Sequence, residues 1–243
     1  MIQRFISFQI YFKLLLFLAF GFVIFTIIGT LTHEMGHIVF AKAQGYQTTL
    51  HYGSMNYSYG SSIDEFNAIW DTYEREIKNG EPYPKEERRQ ELLLEMQRKR
   101  NWITAGGPLQ TIITGTVGFI LLYRRKESIA TAGMKILDWF YMFLTFFWLR
   151  ELANPITGLI SSFMEGEIRL FEGGDEFRLA QSLGCWKGSF SLPLAVIAFG
   201  IFSFVVFRII PKNLRSTLLA AGLIGGIFGY FFWLEWVGPI LIP

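Results

Sequence analysis

Three histidines occur in this chain of 243 residues, and two of them stand four positions apart in His33-Glu34-Met35-Gly36-His37. On an α-helix, residues i and i+4 share one face at roughly 6 Å. Two imidazoles so placed can hold one Zn²⁺, and a glutamate between them can act as general base toward a water on the ion. Zinc lowers the pKa of that water toward about 7 and polarises a carbonyl, which is the chemistry of metal-assisted hydrolysis. A catalytic zinc takes three protein ligands and keeps the fourth position for water, so a further donor must come from elsewhere in the chain. The one cysteine, Cys185, excludes a cysteine-rich zinc module and a disulfide framework.

The elements that must position these residues are apolar. Hydrophobic residues make up 51% of the chain and charged residues 17%, with 25 phenylalanines. A soluble domain carries about 25% charged residues. A formal net charge of +2 gives no case for a nucleic-acid partner. The hydrophobicity falls in blocks long enough to cross a bilayer, which takes about 20 residues. Five such spans are expected: Leu14–Thr32, Ile103–Tyr123, Ile136–Ala153, Gly188–Phe207 and Ser216–Leu234. Ionisable groups in a membrane helix are costly, so the pair at the end of the first span argues for a functional site there. That helix should continue to Gln44, with Gly45 as its stop. At about 46 Å it would exceed the hydrocarbon core and must tilt, protrude or kink, with Gly29 as the kink candidate.

Residues 46–102 form a polar insertion that holds half of the acidic side chains. Its start, from Tyr46 to Tyr59, reads as one or two short strands. Ser62 and Glu65 have the spacing of a capping box, opening a helix with Ile63, Phe66, Trp70, Tyr73 and Ile77 on one face. Gly80, Pro82 and Pro84 end it, and a second, charged helix should run from about Lys85 to Arg100, giving a helical hairpin. Residues 154–187 form a second polar connection. With five spans, the connections 45–102 and 154–187 share one side of the membrane, so groups from both can converge on His33 and His37. The last span carries two G-x-x-x-G spacings, Gly222/Gly226 and Gly225/Gly229, which suit helix packing and would also allow a homodimer contact.

A long apolar helix carrying H-E-x-x-H resembles the site-2 protease family of intramembrane zinc metalloproteases. Ala105-Gly106-Gly107-Pro108-Leu109-Gln110-Thr111, opening the second span, is similar to the family's A-G-P-x-x-N element, with Thr111 where the family's Asn stands. Asn154-Pro155-Ile156-Thr157-Gly158 keeps an Asn-Pro element but lacks the family's Leu-Asp-Gly. The resemblance covers residues 14–45, 103–123 and 154–176 and fades along that order.

The resemblance implies His33 and His37 as zinc ligands, Glu34 as catalytic base and Asn154 as a substrate-binding residue. It also implies an Asp as third ligand. Asp175 in Gly173-Gly174-Asp175-Glu176 is the favoured position, with Glu176, His51, Glu165 and Glu167 as alternatives. The implied protein is a single membrane-embedded metalloprotease domain over residues 1–243. It is an all-α, polytopic integral membrane protein with about five transmembrane helices, a short β-like segment and one Zn²⁺ per chain. Its partners would be the lipid bilayer and a membrane-anchored protein substrate, cleaved within or near the bilayer. A catalytically inactive scaffold or chaperone of the same fold is the alternative. A transporter would need a broken-helix repeat, which the sequence lacks.

Overall fold

The computed structural model describes residues 9–58, 60–166 and 171–243. Those residues are mostly helical, with two short strands among them. Helix α1 (Phe12–Ala43) runs its 32 residues through Gly29 without interruption. Strands β1 (Thr48–Leu50) and β2 (Met55–Tyr57) follow as an antiparallel hairpin with Thr48 opposite Tyr57. Met55, Tyr57 and Phe40 pack around buried Ala41, Tyr46 and Ile103, which seats the hairpin on the end of α1.

Helix α2 (Ser61–Asn79) starts one residue earlier than the expected cap. Gly60 occupies the N-cap, and no side chain caps the helix. Glu65 pairs instead with Arg88 of helix α3 (Glu86–Arg124). The expected charged helix and the second span are one element: α3 is continuous for 39 residues, through Pro108. Proline costs a helix one backbone bond. Here that cost falls where α3 crosses α1, at a site built from close backbone approach. Gly36 and Gly106 face each other there, and a β-carbon on either would strike the other's carbonyl oxygen.

After the short α4 (Lys126–Ala132), the expected third span differs most from the structure. It is divided into α5 (Ile136–Thr145), a 3₁₀ turn over Phe146–Leu149 and α6 (Arg150–Glu165). Three ionisable residues, Asp138, Arg150 and Glu151, interrupt its apolar run. Asp138 is buried and paired with Arg125. Among the described residues, four helices, not five, are long and apolar enough to cross a membrane: Phe12–Ala43, Glu86–Arg124, Ser191–Ile209 and Lys212–Leu241.

Helix α7 (Gly174–Ser182) packs along α3, α8 (Ser191–Phe204) against α6, and α9 (Arg215–Tyr230) beside α1; α10 (Gly238–Leu241) closes the chain. The α1–α9 contact runs parallel. Gly225 lies on the backbone of Ala19, and Gly229 lies against Val23 and Thr26. One of the two G-x-x-x-G spacings is therefore used inside the chain, while Gly226 faces open space. Phe22, Phe25, Phe143 and Phe146 stack between α1 and the α5 segment, within a core that also holds Leu18, Leu122 and Met142.

Candidate metal centre

His33, Glu34 and His37 are all buried at the α1–α3 crossing, with 1%, 6% and 7% of their surface exposed. The two imidazoles meet edge to face, with centroids 4.9 Å apart. Each ring is held through Nδ1. His37 Nδ1 lies 2.7 Å from the carbonyl oxygen of Ile103. The Gly107 N–H also approaches Nδ1, at 3.2 Å, but the shorter contact is to a carbonyl, which can only accept; with the proton on Nδ1, Nε2 is left with a lone pair. His33 Nδ1 lies 2.9 Å from Thr111 Oγ1, which itself donates to the carbonyl of Gly107 at 3.2 Å. With its proton committed there, the hydroxyl accepts from His33, and His33 Nε2 is also a lone-pair donor.

Both Nε2 atoms point at one oxygen. Asp175 Oδ2 lies 3.0 Å from His33 Nε2 and 3.2 Å from His37 Nε2, and the two nitrogens are 3.2 Å apart. Three acceptor atoms thus form a near-equilateral triangle with no proton to share among them. Such a set repels itself unless a cation joins it. Bonds of about 2.05 Å at the tetrahedral angle place ligand atoms about 3.3 Å apart, so the triangle has the size of one face of a zinc tetrahedron. His33, His37 and Asp175 are a group that can hold a metal ion. Arg178 stands 3.7 Å from the second oxygen of Asp175.

The crossing leaves no spare room. A β-carbon on Gly107 would fall on both Nε2 atoms. The glycine lets the α3 backbone serve as a wall of the site.

Comparison of the chain with models of protein families, with curated proteins and with solved structures finds no significant match. The family resemblance therefore rests on the sequence motifs alone.

The remaining sequence candidates fall elsewhere. Glu176 turns away from the histidines and accepts a 2.6 Å hydrogen bond from Asn154 Nδ2. The side-chain amide expected to meet substrate is thus engaged within the chain. His51 sits on the β-hairpin, with Nε2 3.1 Å from Asn56 and Nδ1 against the carbonyl of Pro243. Glu167 and the side chain of Glu165 lie outside the described residues. Two contributors were not visible from the motif: the Ile103 carbonyl, which has no sequence signature, and Thr111 as the partner of His33. The second was open to inference, because Thr111 stands four residues after Gly107 on a helix that must face the motif.

Proposed function

We propose that this chain is a multi-pass integral membrane zinc metallopeptidase of the site-2 protease type, hydrolysing peptide bonds of membrane-anchored proteins within or beside the bilayer. One observation carries the reading: three lone-pair donors, two from H-E-x-x-H and one from Asp175, converge with the spacing zinc requires. The membrane assignment is supported by four long apolar helices, of whose apolar windows only 11% to 39% is buried. Apolar side chains such as Phe20, Val39, Ile113, Phe199 and Leu223 face outward. An outward apolar surface of this extent suits lipid.

When bound, Zn²⁺ would supply Lewis-acid polarisation and a water of lowered pKa. His33, His37 and Asp175 would hold it. Asp175 also offsets the ion's charge in a low-dielectric site. Glu34, next to His33 on α1, would take the proton from the attacking water at its carboxylate and return it to the leaving amide nitrogen. The β1–β2 hairpin has no further strand beside it among the described residues, and an extended substrate segment could add to its edge.

Metal analysis and cleavage assays test this together. Detergent-purified protein should hold one Zn²⁺ per chain. His33→Ala or His37→Ala should reduce it to background. Glu34→Gln should keep the metal and abolish cleavage of a membrane-anchored reporter. An intact chain without zinc overturns the reading. Zinc with no cleavage in the intact chain would favour the inactive scaffold.

A further inference from the structure

Upstream contacts, Glu172 with Lys187 and Phe171 with Trp186, lie on the far side of two glycines from Asp175, which stands on the first turn of a nine-residue helix. Gly173 and Gly174 precede it at φ of 130° and 75°, conformations that glycine adopts freely and that set no preferred register. At the far end of α7, Ser182 Oγ donates to Asn101 at 2.5 Å, and its carbonyl accepts from Gln97 at 2.7 Å. Near Asp175, the tether is Asn154 Nδ2 to Glu176 Oε2, at 2.6 Å.

We propose that Asn154 and Glu176 form a positioning clamp that aims Asp175 at the two histidines, a role that rests on the metal-centre reading above. Consecutive residues on a helix point about 100° apart. Fixing Glu176 against α6 therefore turns the neighbouring Asp175 toward α1. Glu176 is 3% exposed, and a carboxylate so buried requires a donor. Asn154 supplies it. Glu151, one turn earlier on the same face of α6, is 2% exposed and also faces Glu176, so the Asn154 amide donates where two buried carboxyl groups meet. The fit is close: a β-carbon on Gly174 would strike the Asn154 amide nitrogen. Groups that orient metal ligands in this way are worth about 10- to 100-fold in metal affinity.

Exchanging donor and acceptor tests the clamp. Zinc affinity is measured by chelator competition on the full chain and on Asn154→Asp, Glu176→Gln and the double variant. Amide hydrogen exchange of residues 174–182 is followed in the metal-free protein. Asn154→Asp sets a carboxylate against Glu176 and should weaken zinc about 10-fold or more while speeding exchange in α7. Glu176→Gln keeps an acceptor oxygen for Asn154 and should weaken zinc less. The double variant restores a donor–acceptor pair of opposite sense and should recover both readouts. A merely destabilising change at Asn154 would not be repaired by Glu176→Gln. Normal zinc affinity in Asn154→Asp, or no recovery in the double variant, overturns the clamp alone. A wild-type chain that binds no zinc overturns the metal centre and the clamp with it.

Discussion

The two histidines and the aspartate reach the same point by different means. His33 and His37 belong to a 32-residue helix pressed against a 39-residue helix, with glycine backbones in contact at Gly36 and Gly106. Their rings are held by a backbone carbonyl and a helix-borne hydroxyl. Asp175 belongs to a nine-residue helix entered through two glycines and held by side-chain hydrogen bonds. The first region is fixed by packing, which leaves side chains few alternatives. The second packs along α3 over its short length, while its ligand-bearing turn is held by polar side-chain contacts, which can open locally at lower free energy. A two-histidine frame with a less firmly anchored third ligand allows the carboxylate side of the centre to give way without disturbing the helix crossing.

The strongest way to break the contrast is to damage the frame. Gly107→Ala places a methyl carbon 2.4 Å from both Nε2 atoms. Neither ring can retreat without losing its Nδ1 partner, so zinc retained after dialysis should fall to background while helical content by circular dichroism stays close to wild type. Retention of zinc would mean that the crossing is looser than its contacts imply.

Removing the carboxylate should do less. Asp175→Ala leaves both histidines oriented by Ile103 and Thr111. Metal binding should weaken by more than the 10- to 100-fold typical of an orienting group, yet stay measurable at high zinc, with cleavage lost, because zinc in peptidases needs about three protein ligands. Wild-type affinity in this variant would remove Asp175 from the ligand set.

The same contrast explains what could be read from the sequence. The frame was legible because local rules govern it. The i, i+4 histidines, the apolar run behind them and the Gly-Gly-Pro opposite all follow from helix geometry. Asp175 was reachable only through its glycine setting and the family resemblance, and its place depends on α6 and α7 meeting. The Asn154–Glu176 bond, which joins residues 22 apart on separate helices, left no local trace. The fold shows the same division. The long apolar helices and the β-hairpin follow periodicity, whereas the third span does not survive as one helix. There, burial of Asp138 against Arg125 and a 3₁₀ turn of Phe146–Leu149 override what composition suggests.

The smallest expected effect lies at the outer hairpin, farthest from the chemistry. Arg88 donates from Nε and Nη2 to the two oxygens of Glu65, at 2.9 Å and 2.8 Å, and from Nη1 to Glu91 at 3.2 Å. Its hydrogen bonds hold Glu65 below the ordinary glutamate value of 4.5. A carboxyl whose folded value is depressed adds stability that is fully present above its unfolded value and is lost as pH falls through the folded one. The pair therefore acts at neutral pH and ceases to act well below pH 4.5. Both side chains are nearly half exposed, at 47% and 44%, so water and salt screen the attraction. Arg88→Gln should lower the melting temperature slightly at pH 7 in low salt. The difference should shrink in high salt and vanish in acid, while zinc affinity stays at the wild-type value throughout. A loss of zinc in Arg88→Gln would show that the hairpin is coupled to the crossing through α3. The separation between a packed frame and independent polar attachments would then have to be redrawn.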